Sequence, residues 1–189
     1  AGLLSPDQFI PLAEKSSAIQ DLGRFVLDEA CRHAARWREQ RPEIPLRVAV
    51  NVSAAQLNDV GLPERVRDAL RRHGLNPSSM TLELTESMVV EHIDGGRSHM
   101  ARLKATGVRL AIVKLDRAFV TGMGTDTEGR AVVRTVVGLA RAFGLDVVGE
   151  GVETLHDAEA LRAAGCRLAQ GFLWTRPVPG DEIDAMLRQ

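Results

Sequence analysis

Polar side chains close a series of short apolar runs in this sequence, and their types suit a metal-dependent hydrolytic site. Each run is rich in aliphatic residues and ends in a carboxylate, an amide or a lysine. Oxygen ligands of this kind, with no clustered Cys or His, favour a hard cation such as Mg²⁺ or Mn²⁺ over Zn²⁺. The polar residues at the ends of these runs are Asn51, Glu83, Glu86, Lys114, Asp116, Glu150, Glu153 and Gln170.

This group of carboxylates also indicates a reaction. Carboxylates held close together repel one another unless a cation or protons neutralise them. A divalent cation would lower the pKa of a bound water, and a lysine would offset negative charge on a phosphoryl group. We therefore predict hydrolysis of a phosphate ester, with Lys114 as the candidate lysine. Alternation along a strand predicts that Lys114 and Asp116 share one face.

The runs that carry these residues are typical of β-strands, and they alternate with helical stretches. Strand, helix and strand in alternation predict a parallel sheet, and this many units favour a TIM-like barrel over an open sheet. In such a barrel the residues at the carboxyl ends of the strands converge on one mouth. The predicted strands lie near 46–51, 81–86, 112–116, 146–150 and 167–170, and the helices near 61–73, 98–106, 127–142 and 155–164.

Two further helices are predicted before the first strand. Ser5 and Pro6 have the form of a helix start, and this helix should run to about Lys15. Apolar residues at three- and four-residue steps predict an amphipathic helix over about 21–40. Its apolar residues are Leu22, Phe25, Val26, Ala30, Ala34 and Trp37.

One interval breaks the alternation of strands and helices. Parallel neighbours need a crossover of a dozen or more residues, yet candidate strands at 108–111 and 112–116 adjoin with nothing between them. Taken literally, they would form one long strand. We predict instead that a βα connection is missing near Ala111 and Ile112.

Composition narrows the functional class. The 189 residues suit one domain, and 24 basic against 25 acidic residues give a net charge of −1. Because there is no basic excess, we expect no DNA partner. Cys31 and Cys166 lie far apart and outside any zinc-type spacing, which fits a reducing cytoplasm. No apolar run approaches the roughly 20 residues of a membrane span.

Six stretches of the chain have the character of family motifs. They are Leu3-Leu4-Ser5-Pro6-Asp7-Gln8-Phe9-Ile10-Pro11-Leu12-Ala13-Glu14, Asn51-Val52-Ser53, Glu83-Leu84-Thr85-Glu86, Lys114-Leu115-Asp116, Glu150-Gly151-Val152-Glu153 and Gln170-Gly171-Phe172. In type and in order they resemble motifs of the EAL family of cyclic-di-GMP phosphodiesterases. The resemblance covers essentially the whole chain. It implies a TIM-like (β/α)8 barrel of the EAL type, in a single domain over 1–189 that is N-terminally incomplete.

The resemblance also implies a ligand, a reaction and partners. The reaction is opening of cyclic-di-GMP to linear pGpG by a two-metal Mg²⁺ or Mn²⁺ site, in bacterial second-messenger signalling. Homodimers and appended sensory or diguanylate cyclase domains are expected with it. The implied roles are metal binding for Asn51, Glu83 and Glu150, catalysis for Lys114, Asp116 and Glu150, loop anchoring for Glu86, and substrate binding for Glu153 and Gln170.

The sequence departs from the family pattern in two places. The Glu-Ala-Leu signature should precede Ala1, and the Asp-Asp-Phe-Gly-Thr-Gly segment, whose aspartates bridge the two metals in the family, should lie between Leu110 and Lys114. Three hypotheses follow. The chain is a phosphodiesterase, or an inactive domain that binds cyclic-di-GMP or a protein partner, or an unrelated barrel hydrolase. A continuous backbone at 111–113 would count against the first.

Overall fold

The structure is a computed structural model and describes residues 4–85, 88, 97–115 and 127–188. It divides into two units, which are described separately below. The first comprises Ala1–Leu82, His92–Val108 and Arg188, and the second comprises Glu83–Glu91, Arg109–Leu187 and Gln189. The boundary therefore falls within the second strand.

Helices and strands alternate from the first strand onwards, as the sequence predicts. One five-stranded sheet carries the strands in the order β1-β2-β3-β4-β5. The strands are β1 (Val48–Asn51), β2 (Met80–Leu84), β3 (Arg109–Leu115), β4 (Asp146–Gly149) and β5 (Leu168–Ala169). The helices are α1 (Pro6–Glu14), α2 (Ala18–Gln40), α3 (Ala54–Leu57), α4 (Leu62–Arg72), α5 (Arg97–Lys104), α6 (Thr127–Ala142), α7 (Leu155–Ala163) and α8 (Gly180–Leu187), with a 3₁₀ turn at Pro77–Ser79.

The first unit is built around α2, which packs against α1, α3, α4 and β1. Its buried residues follow one stripe, Ile19, Gly23, Leu27, Cys31 and Ala34. This stripe differs from the predicted apolar face, because Phe25 and Val26 are 64% and 38% exposed. The reason is the side chain of Gln56, which lies against Gly23 and donates to the carbonyl of Ile19 at 3.3 Å.

The second unit contains three parallel strands and α6. β3 pairs with β4 in parallel, with Ala111 opposite Asp146 and Ile112 opposite Val147. β4 pairs in parallel with β5. Ala111, Val148 and Leu168 pack together across these strands, and α6 covers β3 and β4. This arrangement places the residues that follow β4 and β5 side by side at one end of the sheet.

β3 is a single seven-residue strand that runs unbroken through residues 111–113. It spans residues 109–111 of the strand predicted at 108–111 and residues 112–115 of the strand predicted at 112–116. No βα connection separates them. The two adjoining apolar runs of this region therefore lie on one strand.

Of the helices in the described parts of the chain, none combines the length and apolar character needed to cross a membrane.

Candidate functional site

Glu150 and Gln170 form the best-defined part of the site. Each follows its strand directly, Glu150 after β4 and Gln170 after β5. The amide Nε2 of Gln170 donates to Oε1 of Glu150 at 3.0 Å. This hydrogen bond holds one carboxylate oxygen of Glu150. This contact joins two of the eight strand-end residues that the sequence predicts to converge.

Backbone hydrogen bonds continue past the strands and fix both loops. The amide of Gln170 donates to the carbonyl of Gly149 at 2.8 Å, and the amide of Val152 donates to the carbonyl of Gln170 at 3.2 Å. The amide of Leu173 in turn donates to the carbonyl of Val152 at 3.0 Å. This ladder holds the Glu150 and Gln170 side chains in register with each other.

Two glycines, which the sequence analysis did not single out, allow this close approach. A Cβ on Gly171 would lie 2.2 Å from the carbonyl oxygen of Val152 and 2.3 Å from its nitrogen. A Cβ on Gly149 would lie 2.5 Å from Cδ1 of Leu161. Glycine at the end of a strand, next to a polar residue, is the sequence signal that could have found both positions.

Glu83 lies in the part of β2 that belongs to the same unit as Glu150. It is only 5% exposed. Burial raises the pKa of Glu83 above its usual range, and the negative charge of Glu150 raises it further. No cationic side chain of the described residues is among the causes that act on this pKa. The pair therefore carries excess negative charge in a poorly solvated place.

Such a pair needs a proton or a cation. A buried carboxylate without a partner charge is costly, and a second carboxylate in electrostatic reach adds to the cost. The donor set consists of carboxylate oxygens with an amide held beside them, and these are the ligands that Mg²⁺ and Mn²⁺ prefer. Glu83 and Glu150 are of the residue type that would supply oxygen ligands to such a cation. Across the described parts of the chain, no group of three or more Asp, Glu, His or Cys residues is placed to hold a metal.

The backbone of Lys114 occupies an irregular position in β3. Val113 pairs with Val148 and Leu115 pairs with Gly149, so the register of the two strands shifts at Lys114. The side chain of Lys114 lies outside the described residues, and so do Asp116 and Glu86. Their predicted roles, and the shared face of Lys114 and Asp116, stay predictions.

Two further predicted site residues lie in the described parts of the chain, at exposed positions. Asn51 ends β1 and is exposed, and it belongs to the first unit. Glu153 is exposed in the loop that follows Glu150. Thr154 next to it begins α7 with a capping box, in which its hydroxyl accepts from the amide of Asp157 at 3.1 Å. The cap fixes the end of the loop that carries Glu150 and Glu153.

Comparison with known proteins identifies the family. The model of the EAL domain matches residues 1–112 and 110–177. This chain belongs to the EAL domain family. It is 39% identical over 206 positions to an uncharacterised protein of Mycobacterium tuberculosis, covering 98% of this chain and 33% of that protein. It is 38% identical over 202 positions to the bifunctional diguanylate cyclase/cyclic di-GMP phosphodiesterase MucR of Pseudomonas aeruginosa, covering 96% of this chain and 29% of MucR. The chain thus spans about a third of these relatives.

Solved EAL structures share the fold. The PaMucR phosphodiesterase in complex with c-di-GMP (cyclic-di-GMP) superposes with a TM-score of 0.84 at 37% identity, covering 96% of this chain and 81% of that one. The Klebsiella pneumoniae BlrP1 manganese/c-di-GMP complex has a TM-score of 0.65 at 28% identity, with 85% and 46% covered. The fold is therefore the TIM-barrel type of the EAL family, as predicted.

The comparisons also support the predicted gap near Ala111 and Ile112. The two matched stretches of the EAL model meet at residues 110–112. The 206 aligned positions of the M. tuberculosis relative correspond to 98% of this chain, which is about 185 of its 189 residues. About 20 positions of the relative therefore have no counterpart here. One βα connection of the family fold is missing at this junction.

Proposed function

We propose that this EAL domain binds cyclic-di-GMP at the strand-end site as a receptor and does not hydrolyse it. The single observation that carries the proposal is the continuous strand β3, in which Leu110, Ala111 and Ile112 are apolar and at most 3% exposed. By the resemblance, metal-bridging aspartates would stand at this junction. With the loops of β4 and β5 intact, the part of the site that would contact the ligand is preserved.

The ligand itself is proposed from the family and from the chemistry of the site. The relatives include a phosphodiesterase solved in complex with c-di-GMP. In this chain Glu150 and Gln170 are held together, and Glu153 follows on the same loop. Phosphate oxygens of the ligand would meet a cation on Glu83 and Glu150, with Asn51 as a further ligand by resemblance. Lys114 would offset phosphate charge, and Gln170 would donate to the ligand.

A second candidate function is metal-dependent hydrolysis of cyclic-di-GMP to pGpG. The raised pKa of the buried Glu83 and the negative charge of Glu150 that contributes to it favour this function, since carboxylates are typical ligands of Mg²⁺ or Mn²⁺. A bound cation supplies an activated water and charge neutralisation at the phosphoryl group. In this candidate Lys114 and Asp116 would assist the water and the phosphate, and Glu86 would anchor the neighbouring loop.

One experiment separates these functions. Cyclic-di-GMP binding is measured by isothermal titration calorimetry, and pGpG by chromatography after incubation with Mg²⁺ or Mn²⁺. The receptor proposal expects binding without pGpG. Formation of pGpG that Glu83→Gln abolishes would establish hydrolysis and overturn the receptor proposal. Absence of binding would overturn both. Glu39→Gln, at an exposed position of α2 in the first unit, is the matched control.

We also propose the cellular setting from the relatives. MucR is named as a bifunctional diguanylate cyclase and phosphodiesterase, and DosP of Escherichia coli as an oxygen sensor. We expect this EAL domain to work as one domain over 1–189, joined to sensory or diguanylate cyclase domains in the cytoplasm and paired as a homodimer. Light scattering of the purified chain would test the dimer, and a monomer at micromolar concentration would refute it.

A further inference from the structure

A cavity at the amino end of β4 lies away from the strand-end site. It has a volume of about 330 Å³ and is bordered by the last turns of α6 and by the starts of β4 and β5. Pockets that bind small molecules begin at about this volume. Asp146 in its lining and Glu150 are four residues apart along the chain, or roughly 13 Å at about 3.3 Å per residue. The cavity is therefore separate from the residues that follow β4 and β5.

Two turns of the same kind lead into the strands that border the cavity. After α6, the amide of Leu145 donates to the carbonyl of Ala140 at 2.8 Å. After α7, the amide of Cys166 donates to the carbonyl of Leu161 at 3.0 Å. Each turn contains a glycine with a positive φ, which completes a Schellman motif. Because these helix-end carbonyls are already hydrogen-bonded, their negative charge is partly offset at this end of the sheet.

Arg141 and Arg167 give the cavity a positive charge. Within the described parts of the chain, neither arginine forms an ion pair with a carboxylate. The carboxylate of Asp146, also in the lining, is neutralised by Arg109, whose Nε and Nη2 donate to Oδ2 at 2.9 and 2.5 Å. Nη2 of Arg141 donates to the carbonyl of Gly165 at 3.4 Å, and a Cβ on Gly165 would lie 2.7 Å from this nitrogen. Glycine at 165 therefore lets the guanidinium lie against the turn.

Apolar side chains form another part of the lining. They are Val137 of α6, Leu145 in the turn before β4 and Leu168 of β5. Val137 and Leu145 are almost fully buried. These side chains offer a contact surface to the carbon part of a ligand, whereas a free inorganic ion would leave the same surface in contact with water.

The charge of the cavity indicates the kind of anion that it would hold. A phosphomonoester carries a charge of about −1.5 to −2 near pH 7, which two guanidinium groups match. The planar fork of arginine also donates hydrogen bonds in pairs to phosphate oxygens. A carboxylate carries a single charge and would leave one of the two arginines uncompensated.

We propose that this cavity binds a small organic phosphomonoester. Its phosphate would lie on Arg141 and Arg167, and its carbon part would contact Val137, Leu145 and Leu168. The cavity shares no residue with the proposed cyclic-di-GMP site. The inference therefore stands or falls independently of the function proposed for the strand ends.

The test is isothermal titration calorimetry of the whole chain with phenyl phosphate, which combines a phosphomonoester with an apolar ring. Inorganic phosphate and benzoate at the same ionic strength are the reference anions. Phenyl phosphate should bind about tenfold or more tightly than either, since the first lacks the ring and the second lacks one charge. Equal affinities for the three anions, or no binding of phenyl phosphate at millimolar concentration, would overturn the inference.

Three variants locate the binding. Arg141→Gln and Arg167→Gln should each weaken phenyl phosphate binding about tenfold or more. Arg134→Gln is the matched control, because Arg134 is an exposed residue of the same helix α6 outside the cavity lining, and it should leave the affinity unchanged. Circular dichroism checks that each variant is folded. Unchanged affinity in both cavity variants, or an equal loss in Arg134→Gln, would contradict the proposed site.

Discussion

The close approach of the two strand-end loops predicts a large effect of Gly171→Ala. The added Cβ would meet the backbone oxygen and nitrogen of Val152 at 2.2 and 2.3 Å. Backbone atoms cannot rotate away, so the loops must separate by about 1 Å to reach ordinary contact distances. That movement lengthens the hydrogen bonds from Val152 to Gln170 and from Leu173 to Val152.

The expected cost follows from these contacts. Two backbone hydrogen bonds contribute about 0.5–1.5 kcal/mol each, and overpacking adds about 1–3 kcal/mol. We expect the free energy of unfolding to fall by about 2–6 kcal/mol. For a chain of this size this lowers Tm by roughly 4–24 °C. The Gln170 to Glu150 contact should be lost as well, so cyclic-di-GMP affinity should fall in the fraction that remains folded.

The assay is urea and thermal denaturation followed by circular dichroism, with calorimetric titration of cyclic-di-GMP. Gly138→Ala is the matched control, because Gly138 is an exposed residue of α6 and a Cβ there meets nothing within 4 Å. This control should be neutral or stabilising by up to about 1 kcal/mol. If the Gly171→Ala variant is as stable as the unmodified chain and binds cyclic-di-GMP with unchanged affinity, the backbone hydrogen bonds between the two loops do not position the site.

Two further predictions concern charge and capping. Burial and the negative charge of Glu150 raise the pKa of Glu83 in the folded state. The protonated side chain therefore adds to the free energy of unfolding at pH values below the pKa of the unfolded state. This contribution is lost as the pH rises through the pKa of the folded state. In EDTA, the Tm of the unmodified chain should therefore fall relative to Glu83→Gln as pH rises from 4 to 8; parallel curves would contradict this. Thr154→Ala removes the cap of α7 and should cost about 1 kcal/mol in urea denaturation, whereas an unchanged midpoint would show that the loop does not depend on the cap.

The sequence predicted the strand ends well because their signal is local. A short aliphatic run that ends in Glu150 or Gln170 specifies both a buried strand and a polar residue at its end. The family motifs then assigned roles to those residues. The pairing of Glu150 with Gln170 could be expected only in outline, since it depends on strand register and on backbone contacts around Gly171.

Other features escaped prediction because they depend on tertiary packing. The apolar residues of α2 predicted a buried face that included Phe25, but Phe25 is exposed. The buried stripe instead includes Gly23, which lies against the side chain of Gln56. The register shift at Lys114 could not be predicted from the sequence either, because it depends on how β3 pairs with β4. Periodicity gives the presence of an element more reliably than its orientation.

The residues that would bind the ligand and those that would bridge two metals lie in different parts of the sequence, so the receptor proposal treats binding and turnover as separable. The loops of Glu150 and Gln170 are held by backbone hydrogen bonds beyond β4 and β5, although β4 itself pairs with β3 at Ala111 and Ile112. The family's bridging aspartates would come from the region of β3, where the connection is missing. Under the receptor proposal, loss of that connection removes catalytic groups while the loops that would contact the ligand remain. An EAL domain altered in this way would keep the means to recognise cyclic-di-GMP and lose the means to open it.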